Sequence, residues 1–378
     1  LPLDIRDIHG PIRVLAGPGT GKTHALVDLY EQAVRAGAAD RSQILVLTFS
    51  KGAAGELGSR IDGRLQDDYG EAWISTFHSF CDRLLRDHLP DPKRLLLDGF
   101  QESMVMRQVL ADIDPSVLGG LAGVSRSDAF AKDLLTFVAL MKQNLVHPLA
   151  LLLAAEAGAG PRLHALAAVY RAYQQRLEDG HMADFRDLIT GAIGLLSSDV
   201  RLLELMRAKF RLILVDEFQD VDPAQFALLR LIAPPEARPH LVVVGDPDQT
   251  IYGFRGTEPR LLSVDFAAAY GGETVLLDEC RRCSQEALDA GERLLQATQG
   301  DRRPRSLRDL RDGTPTQPAI VVTRETDAVD EAFFCAREIK HLLATSPGLR
   351  PGDVAILLRS TTILGPPFEE ALRALGIP

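Results

Sequence analysis

The sequence predicts an α/β protein organised around a parallel sheet. Short, near-continuous apolar runs rich in β-branched residues recur along the chain, as strands buried on both faces do. Segments of helical character at 22–36 and 52–66 separate the first of these runs, and a glycine-rich loop joins the first run to the first helix. The runs are PIRVLAG at 11–17, QILVLTF at 43–49, RLILVDE at 211–217, HLVVVGD at 240–246 and ETVLLDE at 273–279, followed by AIVVTR at 319–324 and DVAILLRS at 353–360. Between residues 84 and 185 the strand pattern stops. ESMVMRQVLADI, AFAKDLLTFVALMKQN and LHALAAVYRAYQQRLED carry apolar residues at helical spacing, so an all-helical subdomain is inserted into one sheet. The Ala/Gly-rich piece at 154–161 marks a loop or helix break inside it. A second α/β unit is expected to start near Glu273, interrupted by a basic, proline-containing stretch at 300–318 that reads as a solvated linker. The chain begins at Leu1 and ends on a helix with nothing to close a second sheet, which suggests part of a larger protein.

Composition sets bounds on function. The 378 residues suffice for two or three domains, with 46% hydrophobic and 25% charged residues, an ordinary globular mix. No run of about eighteen apolar residues and no signal-peptide pattern occurs, so no membrane span is expected and the cytoplasm is the default location. The four cysteines are too few for a disulfide framework; Cys280 and Cys283 form a C-x-x-C that lacks a second pair for a zinc site and reads as ordinary thiols. The net charge of −10 confines any nucleic-acid contact to a local groove.

AGPGTGKT at 16–23 fits G-x-x-x-x-G-K-[ST] with Ala16 in the first place. It lies between a strand and a helix, the context in which backbone N–H groups and a helix N-terminus cradle phosphates. Gly17, Pro18, Gly19, Thr20 and Gly21 would form the cradle, Lys22 would reach the β- and γ-phosphates, and Thr23 would hold Mg²⁺. LILVDEFQD at 212–220 runs four apolar residues into Asp216 and Glu217 at the carboxyl end of a strand. Asp216 is the candidate metal ligand, and Glu217 the group that orients and deprotonates an attacking water.

With LVLTFSKGAAGELGSRI at 45–61, STFHSFCDRLL at 75–85, DFRDLI at 184–189, GDPDQTIYGFRG at 245–256 and LLRSTTILGPPFEEALRALGIP at 357–378, these motifs follow one another in a familiar order. The chain resembles the UvrD/Rep/PcrA group of superfamily 1 DNA helicases over nearly all its length. The resemblance implies a RecA-like P-loop NTPase sheet with an inserted helical subdomain and the start of a second RecA-like domain. Its arrangement would be 1A at 1–83, 1B at 84–185, 1A again at 186–272 and 2A from 273 to 378. It further implies ATP and Mg²⁺ as cofactors, single-stranded or partly duplex DNA as partner, 3′ to 5′ polarity, and partner proteins from repair or recombination. Carried over by position, Gln249 would sense the γ-phosphate, Arg255 would link that loop to ATP or DNA, and Phe49, Tyr252 and Phe254 would stack on bases, with His78 a further DNA contact.

CRRC at 280–283 stands where the family usually has NYRS. Arg282 falls on the family's arginine finger, while Arg281 replaces the tyrosine that stacks the adenine, and His24 replaces a frequent arginine. The glutamine that reads adenine would fall near Leu1, where none stands, and further motifs lie past Pro378, so the chain by itself is expected to hydrolyse ATP poorly. Two rival readings are the motor subunit of a recombination helicase–nuclease of the RecB, AddA or AdnB kind, and a non-motor, ATP-gated DNA clamp.

Overall fold

The computed structural model describes residues 4–65, 70–89, 94–125, 127–251, 253, 258, 260–299, 306–310 and 320–378. The chain folds as two units, Leu1–Asp312 and Gly313–Pro378.

The first unit opens with β1 (Ile12–Ala16), α1 (Lys22–Arg35), β2 (Ile44–Thr48), α2 (Lys51–Arg64), β3 (Trp73–Thr76) and α3 (Phe77–His88). A helical block follows: a short strand β4 (Leu95–Leu96), then α4 (Gly99–Asp112), α5 (Pro115–Leu118), α6 (Asp128–Gln143), α7 (Pro148–Ala154) and α8 (Pro161–Asp179). It closes on β5 (Met182–Ala183), which pairs with β4 and so brings the two ends of the block together. The chain then returns through α9 (Asp187–Ser198), α10 (Val200–Lys209), β6 (Leu212–Val215), α11 (Pro223–Ile232), β7 (Leu241–Gly245), α12 (Phe266–Tyr270) and β8 (Glu273–Leu277). Last come β9 (Glu279–Cys280), α13 (Gln285–Gln299) and β10 (Arg308–Asp309), with β9 and β10 paired.

The main sheet has the order β3-β2-β6-β7-β1-β8, and every ladder in it is parallel. Alternate residues point to opposite faces. Leu45, Leu47, Ile213, Val215 and Val243 pack with α3, α9 and α11, while Ile44, Val46, Leu214, Val244 and Val14 pack with α1 and α2. Covering both faces explains the apolar runs without alternation. The helix break expected at 154–161 is present: Ala155–Ala159 is a π-helical turn with Gly158 at φ 111°, and α8 starts at Pro161 after Gly160.

Two expectations change. The run at 273–279 opens no new sheet; β8 pairs with β1, Ile12 opposite Glu273, at the edge of the first. Gly272 permits this return, because a Cβ there would meet Pro11 O at 2.2 Å. The runs at 319–324 and 353–360 form no strand among the described residues. An apolar run shows a segment's readiness to pair and says nothing of its partner. Most of the basic stretch 300–318 lies outside the described residues. The second unit consists of α14 (Ala328–Thr345) packed on α15 (Thr361–Ala374) through Ala332, Ala336, Phe368 and Ala371. Among the described residues no single helix is long and apolar enough to cross a membrane.

A buried ion triad fastens the helical block to the sheet. Lys142 Nζ on α6 donates to Asp184 Oδ2 and Asp187 Oδ1, both at 2.6 Å, and all three side chains are buried. Asp184 Oδ1 in turn accepts the amides of Arg186 and Asp187 and so starts α9. Lys142→Ala leaves two buried carboxylates without their cation, and is expected to cost about 3–5 kcal/mol of unfolding free energy, read from urea denaturation.

Candidate functional site

At the carboxyl end of β1 the chain turns through residues 17–21 into α1. Gly19 and Gly21 take φ of 68° and 90°, a region other residues enter only at a cost. Thr20 Oγ1 donates to Gly17 O at 2.8 Å. Gly21 starts α1 without a side-chain cap, so the first amides of that helix are left for a ligand. Lys22 Nζ is buried and, among the described residues, makes no hydrogen bond; it lies 3.5 Å from Glu217 Oε2. A cleft of ≈ 390 Å³ opens here, lined by residues 17–24, Glu217, Gln249, Arg281 and Arg282. Glycine amides, a helix N-terminus and a buried ammonium fit a polyphosphate, and Thr23 with Asp216 offers the oxygen donors a divalent cation needs. Glu56 and Arg60 of α2 also line the cleft. The sequence did not single them out; the one signal was their i, i+4 spacing, which pairs them here.

β6 leads directly into Asp216 and Glu217. Glu217 sits at φ 50°, ψ 47°, a left-handed conformation costing a non-glycine about 1–2 kcal/mol. Its surroundings hold it there. The Glu217 amide donates to Asp216 Oδ1 at 3.0 Å, and Gln219 Nε2 donates to Glu217 Oε2 at 2.7 Å. Gln219 Oε1 accepts the Asp246 amide at 2.9 Å, and Gln249 Nε2 donates to Asp246 Oδ2 at 2.8 Å. A polar chain thus runs from Lys22 through Glu217, Gln219 and Asp246 to Gln249. Gln219 and Asp246 are its unforeseen members, and Gly245 makes room for them: a Cβ there would lie 2.5 Å from Gln219 Oε1.

The Asp216 carboxyl is pushed up to about 7, first by burial and then by the adjacent Glu217 carboxylate. Its native pKa lies above the unfolded one, so the native state holds a proton that the unfolded chain releases in between. Stability therefore falls as pH rises from about 4 to about 7. Asp216→Asn is expected to flatten that decline by up to about 4 kcal/mol, read by chemical denaturation across the window.

Arg281 and Arg282 reach the same cleft from the turn after β9. The Arg281 amide donates to Gly19 O at 3.0 Å, and Arg282 Cβ lies 2.5 Å from where a Cβ on Gly19 would stand. Arg281 also lines an adjoining cleft of ≈ 630 Å³ with Asp28, Leu276, Asp278 and Glu279. His24 stands between the two clefts, its Nδ1 3.0 Å from Arg64 Nη2 and its Nε2 3.5 Å from Asp28 Oδ2.

A third cleft, ≈ 750 Å³, lies between the carboxyl edge of the sheet and α6 of the helical block. Phe49, Lys51, His78, Phe185, Arg186 and Gly253 line it. His78 stacks on Phe185, ring centroids 4.0 Å apart and planes 16° from parallel. Burial, aided by Arg186, lowers His78 to about 4, so at neutral pH it is an uncharged flat surface. Phe185 and Arg186 lie inside DFRDLI, a segment that stood out for its order in the chain and not for its aromatic. Tyr252, Phe254 and Arg255 lie outside the described residues, although Gly253 among them lines the cleft.

A glycine cradle after the first strand and an acid pair ending a nearby parallel strand define a RecA-like P-loop nucleotide-binding fold. The profile of the UvrD/REP helicase N-terminal domain matches residues 4–266, and the chain belongs to that family. It is 31% identical over 379 residues to ATP-dependent DNA helicase UvrD1 of Mycobacterium tuberculosis, covering 97% of this chain and 47% of that protein. It is 29% identical over 380 residues to ATP-dependent DNA helicase PcrA of Leuconostoc citreum, covering 99% of this chain and 48% of that one. A probable DNA helicase II homolog of Mycoplasma capricolum is 27% identical over 381 residues, with 99% and 50% covered. The chain spans about half the length of the curated relatives it matches.

Proposed function

We propose that the protein is an ATP-driven motor that moves 3′ to 5′ along single-stranded DNA and separates duplex ahead of it, in cytoplasmic DNA repair or replication. The observation that carries this reading is the polar chain from Lys22 to Gln249. Three residues beyond Gln249 the same segment reaches Tyr252, and its Gly253 lines the large cleft. Fuel and track share one loop.

In this reading Gly17, Pro18, Gly19, Thr20 and Gly21 cradle the phosphates and Lys22 neutralises the β- and γ-oxygens. Thr23 and Asp216 would hold Mg²⁺, which would screen phosphate charge; burial favours the protonated Asp216 carboxyl, so Mg²⁺ binding would compete with that proton. Glu217 accepts the proton of the attacking water, Gln249 registers the γ-phosphate, and Arg282 stabilises charge developing on it. Arg281 and His24 border the base and ribose, a guanidinium over a purine being a workable substitute for a stacked ring. Phe49, His78, Tyr252 and Phe254 meet bases and Arg255 the backbone, contacts indifferent to sequence as a motor requires. The family resemblance extends the reading to a second RecA-like domain that closes on the nucleotide, and to protein partners in repair or recombination.

Polarity and movement are tested together with oligonucleotides of increasing length labelled at one end. A 3′ to 5′ motor gives an arrival signal at a 5′ label whose delay grows with length, and none at a 3′ label. Nucleotide-dependent binding with no length-dependent delay identifies a clamp and overturns the reading.

A further inference from the structure

The turn carrying Arg281 and Arg282 is bracketed by Cys280 and Cys283. Neither is in a disulfide; Cys280 is buried and Cys283 partly exposed. Cys280 Sγ accepts the amides of Arg282 at 3.5 Å and of Cys283 at 3.2 Å. The Cys283 amide, held at 3.2 Å by Cys280 Sγ, places the two cysteines in one tight turn. The same Cys280 sulfur lies 2.9 Å from where a Cβ on Gly19 would stand. With the Arg281 amide bound to Gly19 O, the turn packs directly on the phosphate loop, and its movement is transmitted to both arginines.

We propose that Cys280 and Cys283 are a reversible oxidation site whose disulfide lowers nucleotide affinity by drawing Arg281 and Arg282 off the phosphate loop. The inference rests on the nucleotide reading of that cleft. The oxidant class is a hydroperoxide. The thiolate of Cys283, the more exposed sulfur, attacks a peroxide oxygen; an S–O bond forms, the O–O bond breaks, and hydroxide leaves to be protonated. The Cys280 thiolate then attacks the Cys283 sulfur, forming the S–S bond as a second hydroxide departs and takes a proton. Two thiols lose two electrons and two protons, and hydrogen peroxide becomes two waters. Once bonded, the Cys280 sulfur can no longer hold both amides of the turn while staying wedged against Gly19. A dithiol restores both thiols by thiol–disulfide exchange, its own two sulfurs ending as a disulfide.

The test titrates a fluorescent ATP analogue into the reduced chain, the chain treated with hydrogen peroxide, and the treated chain after dithiothreitol. Mass spectrometry reads the Cys280–Cys283 cross-link separately. The expected result is loss of two hydrogens at this pair, affinity lower by about tenfold, the equivalent of one charge-assisted contact, and recovery with dithiothreitol. Cys283→Ser should bind the analogue like the reduced wild type and ignore peroxide. The proposal is overturned if peroxide leaves Cys283 as sulfinic acid without a cross-link, or if the cross-link forms and affinity is unchanged. Should the reduced chain fail to bind the analogue, with the cross-link still forming, the nucleotide reading fails and the regulation falls with it.

Discussion

Glu217→Gln is expected to lower DNA-stimulated ATP hydrolysis by about 10²–10⁴-fold, while nucleotide affinity stays within a few-fold. Glutamine has the size of glutamate and keeps an oxygen for the Gln219 amide, so the left-handed turn at 217 and the chain to Gln249 are retained. Basicity alone is lost. The Lys22 ammonium, 3.5 Å from the altered group, is left in place for its proposed phosphate contact. Steady-state hydrolysis and analogue binding on the same preparation check the two halves of this expectation. Equal loss of both would mean that Glu217 organises the site and takes no proton.

Arg282→Ala is the second large effect, a fall in turnover of about 10³–10⁵-fold. The residue's contact with the phosphate loop is made at its Cβ, which alanine keeps, so the packing on Gly19 survives while the side chain beyond Cβ, with its guanidinium, is removed. Thermal unfolding should therefore be unchanged while turnover collapses. Arg282→Lys should recover little, since a point charge does not replace a planar fork on phosphate oxygens. An unchanged turnover in Arg282→Ala would return Arg282 to the role of a surface residue.

The individual strands and the glycine turn after β1 were legible because both are local. A strand buried on two faces must read as an unbroken apolar run, and the turn after β1 holds glycines at 19 and 21, where φ is positive. The short strand β3 was not legible. Four residues, Trp73–Thr76, pass straight into α3, and the stretch reads as part of a helix-bound motif. Gln219 and Asp246 were hidden for another reason. Their meeting depends on the left-handed backbone at Glu217 and on the absence of a side chain at Gly245, neither of which leaves a pattern in sequence. Which sheet takes the run at 273–277 was likewise beyond pattern, because the open edge of β1 decides it. Phe185 could have been read, being an aromatic beside a helix-capping aspartate, but only the fold stacks it on His78.

The central claim is that hydrolysis at Lys22 and Glu217 answers to DNA in the cleft lined by Phe49 and His78. It is tested most directly by ATP hydrolysis measured against single-stranded DNA concentration, for the wild type and for Phe49→Ala. The account predicts a rate that climbs with DNA and saturates, with the half-saturating concentration raised about 5–150-fold in Phe49→Ala for the loss of one stacked base. A hydrolysis rate indifferent to DNA, or a Phe49→Ala curve that overlies the wild type, would contradict it.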